Sequence, residues 1–159
     1  MKDTLKGAKT MEPLKYTIQL TPRTKKNSQQ ILVNSKTGRP FIMPSKQYKA
    51  YETAALSFLL KKPEIPIDFE VNVKCLFYLP TKRKTDLTNL LEAIDDILVR
   101  AGILLDDNYN VIAAHDGSRC LYDKHNPRTE IEITRIAQHE SAELIQAGKE
   151  RQEDTDGKL

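Results

Sequence analysis

The stretch from Asp86 to Ala101 constrains this chain more than any other. At about 100° per residue, Leu87, Leu90, Leu91, Ile94, Ile97, Leu98 and Ala101 gather on one side of a helix. Asn89, Glu92 and Asp96 line another side, with Asp86 at the margin of that polar stripe. The division predicts an amphipathic helix that must bury one face against a partner. Asp86 is placed to cap its start, and Gly102 to end it.

The segments around this helix read mainly as strands. Leu14–Leu20 alternates apolar and polar residues and stops at Pro22. Ile31–Val33 and Phe41–Met43 flank a polar tip, Asn34–Pro40, as in a hairpin. Ser45 is a suitable N-cap for a first helix reaching about Leu60, and Pro63 and Pro66 follow it. A strand from Phe69 to Leu79 sets Phe69, Val71, Val73, Cys75 and Phe77 on one face. Asn110–His115 and Thr129–Ile136 complete the set. The expected architecture is a small α/β (α+β) domain, a mixed β-sheet with two packed helices. It spans residues 13–136, between a tail at 1–12 and a polar, acidic tail at 137–159.

Composition narrows the function classes. A length of 159 residues fits one domain. No apolar run approaches the roughly 20 residues of a membrane-spanning helix, and the first residues lack the apolar stretch of a secretory signal. Cys75 and Cys120 belong to no CxxC pair and read as reduced thiols, so a cytoplasmic location without membrane contact is expected. Structural zinc has no ligand set, because the three histidines lie far apart. Residues 13–136 hold 19 basic against 14 acidic residues, a modest positive excess compatible with nucleic acid.

The chemistry concentrates at the ends of the second helix. Lys82, Arg83 and Lys84 directly precede the carboxylates, and Arg23, Lys25, Lys26 and Asn27 form a second basic loop. Cations that hold phosphates beside carboxylates that hold a metal are what hydrolysis of a polyanion requires. Beyond Gly102, Asp106 and Asp107 are adjacent acids. The six residues to Asp107 reach up to about 20 Å, enough, if the chain doubles back, to return beside the first half of a helix about 23 Å long, near Asn89 and Asp86. The bland alternatives are a solvated helix face with Asp86 as a cap, and turn chemistry at Asp106-Asp107-Asn108. His115 beside Asp116 reads as an ordinary surface or core histidine, and Tyr48 and Tyr51 as packing residues. Ser28, Ser45 and Ser57 have no nearby His and Asp to form a triad.

Arg83-Lys84-Thr85-Asp86-Leu87-Thr88-Asn89-Leu90, the helix that follows, Gly102 and Asp106-Asp107 together resemble the RusA family of Holliday-junction resolvases. The Pro22 to Asn27 loop and the Ser45, Tyr48, Tyr51 helix start are also similar. The resemblance covers about Leu14 to Ile136. It implies a RusA-like fold and a homodimeric, often prophage-borne, Mg²⁺-dependent endodeoxyribonuclease of DNA recombination and repair, nicking four-way junctions symmetrically. Mn²⁺ is a second candidate ion. Asp86 and Asp107 match the catalytic aspartates, and Asp106 and Asn89 match the pattern as a further ligand and a support. Thr88 stands where well-known members have a second aspartate, and Glu92 where they have a lysine. Glu92, about one turn along the same side, then becomes a candidate substitute ligand. Lys82, Arg83, Lys84, Arg23, Lys25, Lys26 and Asn27 are the expected DNA contacts. Two alternatives stay open: a non-catalytic protein binding branched DNA, and a nuclease of other structured DNA.

Overall fold

A computed structural model describes residues 11–25 and 29–136. Among these, the elements in chain order are β1 (Leu14–Ile18), β2 (Gln29–Val33), β3 (Pro40–Pro44), α1 (Lys46–Leu56), β4 (Val71–Leu79), α2 (Leu87–Arg100), β5 (Ile112–Ala114), β6 (Arg119–Tyr122) and β7 (Arg128–Arg135). Strands β1, β7 and β4 lie side by side and antiparallel. The far edge of β4 is shared by β5 and β6, both parallel to it. β2 and β3 pair as a separate hairpin. This is the expected α+β domain, a mixed sheet with two helices.

Register explains why the helices cover one face. Tyr16 lies opposite Ile131 and Ile131 opposite Cys75, and Ile18, Thr129 and Phe77 form the next row. Partners in a row point the same way, so both rows enter the core. The reverse face carries Lys15, Glu132 and Lys74 in one row, and Lys15 Nζ lies 3.0 Å from Glu132. Tyr48, Tyr51 and Ala55 of α1 meet Leu90, Ala93, Ile94, Ile97 and Leu98 of α2 over the apolar rows. Cys75 is buried within them and Cys120 is half-buried, both as free thiols.

Several boundaries differ from the sequence expectation, each for a local reason. α1 stops at Leu56 because Ser57 closes the turn, its N–H and its hydroxyl both donating to the Ala54 carbonyl (3.1 and 2.7 Å). β4 starts at Val71, two residues late. Phe69 stays outside it, half-buried beneath the Arg135 guanidinium at 4.3 Å. Ile67 makes an isolated parallel bridge to Leu104 instead. β6 is an additional strand that alternation does not reveal, since Arg119–Tyr122 is an edge strand with no fully buried residue. The segments 1–10 and 137–159, expected as tails, lie outside the described residues.

The edge of β4 passes from β5 to β6 across a gap that side chains fill. Asn72 is the last residue paired with β5, and Leu76 the first paired with β6. Between them the Cys75 N–H donates to Ser118 Oγ (2.9 Å). His115 Nδ1 lies 2.8 Å from the Val73 carbonyl. Asn72 Oδ1 accepts from the Asp116 N–H (2.7 Å), and its Nδ2 donates to the Asp116 carbonyl (3.3 Å). Gly117 makes the turn with φ +82, lying so close to Lys74 that a Cβ there would meet its side chain at 3.3 Å.

His115 also ties this edge to α2, with Nε2 3.0 Å from Asp95 Oδ2. Both ring nitrogens thus face acceptors, an arrangement that only imidazolium satisfies by donating from each. Burial pulls the His115 pKa down, but the Asp95 carboxylate and the Val73 carbonyl outweigh it and the net shift is upward. A folded pKa above the unfolded value gives stability that is complete below the ordinary 6.5 and is lost as pH rises through the folded pKa. His115→Gln is therefore expected to flatten the fall in wild-type Tm above neutral pH and to destabilise by about 2 kcal/mol at pH 6. Parallel Tm curves for the two proteins between pH 5 and 9 would show that the ring stays neutral.

Candidate active site at the ends of the second helix

α2 begins where Asp86 caps it. The Asp86 backbone is extended, at φ −78 and ψ 116. Its Oδ1 accepts from the Thr88 N–H at 3.0 Å and from the Thr88 hydroxyl at 2.6 Å. Its Oδ2 accepts from Asn89 Nδ2 at 3.2 Å. These bonds satisfy an otherwise orphaned helix N–H and fix the carboxylate while it stays exposed. Thr88, where a second carboxylate stands in other proteins of the resembled pattern, here serves as a donor to the first.

The loop before this cap carries Lys82, Arg83 and Lys84, all exposed. Lys82 Nζ sits 5.1 Å from the centre of the Tyr122 ring on β6. Among the described residues no carboxylate forms an ion pair with any of the three. Their charge is therefore available to an outside anion.

At the other end Gly102, with φ +74, reverses the chain. Its N–H donates to the Val99 carbonyl (2.9 Å), and the Ile103 N–H to Leu98 (3.1 Å). Left-handed geometry at this position favours glycine and closes the helix. Residues 103–105 then run beside Ile67, whose N–H donates to Ile103 and whose carbonyl accepts from Leu105 (both 2.9 Å). Asp106 follows, accepting from the Asp107 N–H (2.7 Å) and from Asn108 Nδ2 (2.6 Å). The Asp107 N–H, then the Asn108 amide, hold the Asp106 carboxyl below its ordinary pKa. Asp107 moves the other way. Partial burial raises its pKa first, and the nearby Asp106 and Asp96 carboxylates add to the rise. Asp96 lies in the second half of α2, so the α2 carboxylate that acts on Asp107 is not one at the helix start.

The polar stripe of α2 meets the basic segment that follows β1. Lys25 Nζ lies 2.7 Å from Asp96 Oδ2, and this bond, with Glu92 and Glu52 nearby, raises the Lys25 pKa. Lys25 thus neutralises the stripe. Glu92 is half-buried beside it. The Tyr48 hydroxyl is buried with no hydrogen-bond partner among the described residues. Burial raises its pKa strongly, and the Glu52, Asp96 and Glu92 charges add to that. Arg23 reaches Gln47 of α1 at 3.4 Å and stays exposed. Lys26 and Asn27 lie outside the described residues. The sequence reading missed the Lys25–Asp96 pair and the Tyr48 hydroxyl, because both depend on α1 and the segment after β1 lying against α2. Helical spacing had already marked Asp96 as a member of the stripe.

The donor set suits a divalent metal in kind. Carboxylate oxygens are the hard ligands that Mg²⁺ takes, and Asp107 has the Asp106 and Asp96 carboxylates near it. Among the described residues no three His, Cys, Asp or Glu side chains form a group able to hold an ion by themselves. Mg²⁺ characteristically binds through one or two carboxylates, with water and substrate phosphates completing its shell.

Comparison with known proteins bears on this arrangement. The chain is 38% identical over 42 residues to a crossover junction endodeoxyribonuclease RusA from Aquifex aeolicus (strain VF5), a match covering 26% of this chain and 33% of that relative. The chain thus spans about a third of the length of that curated relative. The family model described as endodeoxyribonuclease RusA matches residues 13–134, from just before β1 to the last residue but one of β7. By that match over most of its length, the chain belongs to the RusA endodeoxyribonuclease family.

Proposed function

We propose that this chain is a divalent-metal-dependent endodeoxyribonuclease that resolves four-way DNA junctions by paired nicks, acting as a homodimer in recombination and repair. The observation that carries the reading is the exposed, pre-positioned Asp86 carboxylate directly behind three exposed cations that form no ion pair with a carboxylate among the described residues. The catalytic unit is one domain over residues 13–136, and the relative's printed activity supports the substrate.

Asp86 and Asp107 are the proposed metal ligands, with Asp106 and Glu92 contributing and Asn89 supporting Asp86. Mg²⁺, or Mn²⁺ in its place, would polarise the scissile phosphate and lower the pKa of an attacking water. The chain's own residues do the rest. Asn89 and Thr88 hold Asp86 in one rotamer, so little ordering is left to be done when substrate arrives. Lys82, Arg83, Lys84 and Arg23 contact phosphates, which gives affinity without sequence readout and leaves recognition to DNA shape. Lys26 and Asn27 are assigned to the same contact from the sequence. Lys25 serves it indirectly, by shielding phosphates from the Asp96 charge. A two-fold symmetric pair of such domains presents two equivalent sites to a junction of similar symmetry.

Incubating the protein with a labelled four-way junction tests the reading directly. Nicked duplex products that require Mg²⁺ or Mn²⁺ are expected. A stable complex with no cleavage in either metal would instead favour a binding protein, the outcome that Thr88 in place of a carboxylate would explain.

Substitutions at Asp86 separate its two roles. Asn is as good an N-cap as Asp, so Asp86→Asn is expected to abolish cleavage with Tm unchanged and junction binding intact. Asp86→Ala loses the cap as well, at about 1 kcal/mol of stability. Asp107→Asn relieves like-charge crowding, so cleavage should vanish while Tm holds or rises. Wild-type nicking by either Asn variant would remove that residue from the site.

Two further measurements address the cations and the ligand set. Replacing Lys82, Arg83 and Lys84 by Gln should lower the slope of log affinity against log salt by about 2 to 3, as released counterions disappear. An unchanged slope would mean the trio points away from DNA. Glu92→Gln should raise the Mg²⁺ concentration needed for nicking, and adding Thr88→Asp should restore it in part. Coincident Mg²⁺ titrations of wild type and Glu92→Gln would leave Glu92 as a surface charge.

A further inference from the structure

The β2–β3 hairpin is a sheet of its own, paired to no other strand among the described residues. Its register sets Ile31 opposite Ile42 and Val33 opposite Pro40, so these side chains share one face, while Leu32 and Phe41 occupy the other. The first face is open to solvent, with Ile31 76%, Val33 65% and Ile42 64% exposed. Leu32 and Phe41 are less exposed, at 40% and 42%. A lone two-stranded ribbon is marginal in water, and a contiguous apolar face on one marks a surface that meets a partner.

Charge identifies the partner. From Gln29 to Pro44 the ribbon contains two basic residues and no Asp or Glu. Both, Lys36 and Arg39, sit exposed at the hairpin tip. The tip is ordered by hydrogen bonds: Asn34 Oδ1 accepts from the Lys36 and Thr37 N–H groups (2.9 and 3.2 Å). The Gly38 N–H donates to the Asn34 carbonyl (2.8 Å), and Gly38 adopts φ +67. A polyanion meets no opposing carboxylate along this ribbon, whereas a second copy of the arm would bring cation against cation.

We propose that the β2–β3 hairpin is a DNA-engaging arm whose tip, Lys36 and Arg39, holds phosphates while Ile31, Val33 and Ile42 lie against base faces exposed at a branch point. The proposal rests on the reading of branched DNA as the substrate and adds a contact surface separate from Asp86 and Asp107. An intact duplex exposes no base face to such a surface. A junction does, and apolar side chains placed against opened base steps stabilise distorted DNA. The arm therefore divides the work: its tip supplies affinity for any DNA, and its face supplies preference for branched DNA.

Binding with metal chelated, so that no DNA is cut, tests the arm. Fluorescence anisotropy would compare wild type, Lys36→Gln/Arg39→Gln and Ile31→Thr/Ile42→Thr on a four-way junction and on a linear duplex. All four positions are exposed and Thr suits a strand, so matching circular dichroism and Tm are expected. The tip variant should weaken both DNAs and reduce the salt slope by about 2. The face variant should weaken junction binding about tenfold and leave duplex binding and the salt slope alone. Wild-type affinities in both variants would overturn the arm and leave the nuclease reading standing. A face variant that becomes monomeric by light scattering while keeping its junction preference would assign the ribbon to a second copy and also overturn it. Arm-dependent junction binding without cleavage in any metal would refute the nuclease and keep the arm. No binding of either DNA by wild type would overturn both.

Discussion

Parallel pairing of β5 with β4 governs the rest of the molecule. Two parallel neighbours cannot be joined by a tight turn, so the chain must leave the end of β4, cross the sheet and return to its beginning. α2 is that crossing. Its apolar stripe makes the passage favourable by closing the core over Val71, Val73, Cys75 and Phe77. The same passage delivers Asp86 and the Lys82–Lys84 loop to the carboxyl end of β4, the side of an α/β sheet where ligands commonly bind. The basic loop then finds Tyr122 at the corresponding end of β6. Fold and site are thus two results of one connection.

Electrostatics along α2 are arranged in graded fashion. Asp86 is exposed and accepts from the Thr88 N–H and hydroxyl and from the Asn89 amide, Asp96 is offset by Lys25, and Asp107 is raised in pKa by partial burial and then by the Asp106 and Asp96 charges. A carboxylate already matched to a cation has little further attraction for a metal, which marks Asp96 off by physical state rather than by position on the helical wheel.

The features legible in the sequence are those set by local periodicity. α2 is readable because its 3.6-residue stripe, Asp86 cap and Gly102 stop agree over one continuous stretch, and β4 because its inward residues alternate without a break. β6 is hidden, because an edge strand with no fully buried side chain carries no alternation. His115 looked ordinary for a related reason: its two partners, Val73 and Asp95, come from a strand 42 residues away and a helix 20 residues away. The site divides in the same way. The Asp86–Asn89 cluster and the Asp106–Asn108 turn are local and could be read directly. Lys25 reads as a phosphate anchor until Asp96, 71 residues on, is seen to hold it.

The passage from β5 to β6 has a consequence for how the protein behaves in company. A long, flat sheet margin is a template on which other chains can add strands and start to aggregate. Here that margin is cut into pieces of three and four residues, with Gly117 and its turn between them. Neither piece is long enough to seed an intermolecular ladder. Among the described residues the opposite margin is β1, which runs only from Leu14 to Ile18 and carries Lys15. A sheet bounded in this way resists edge-to-edge self-association while it folds, without any residue set aside for that purpose.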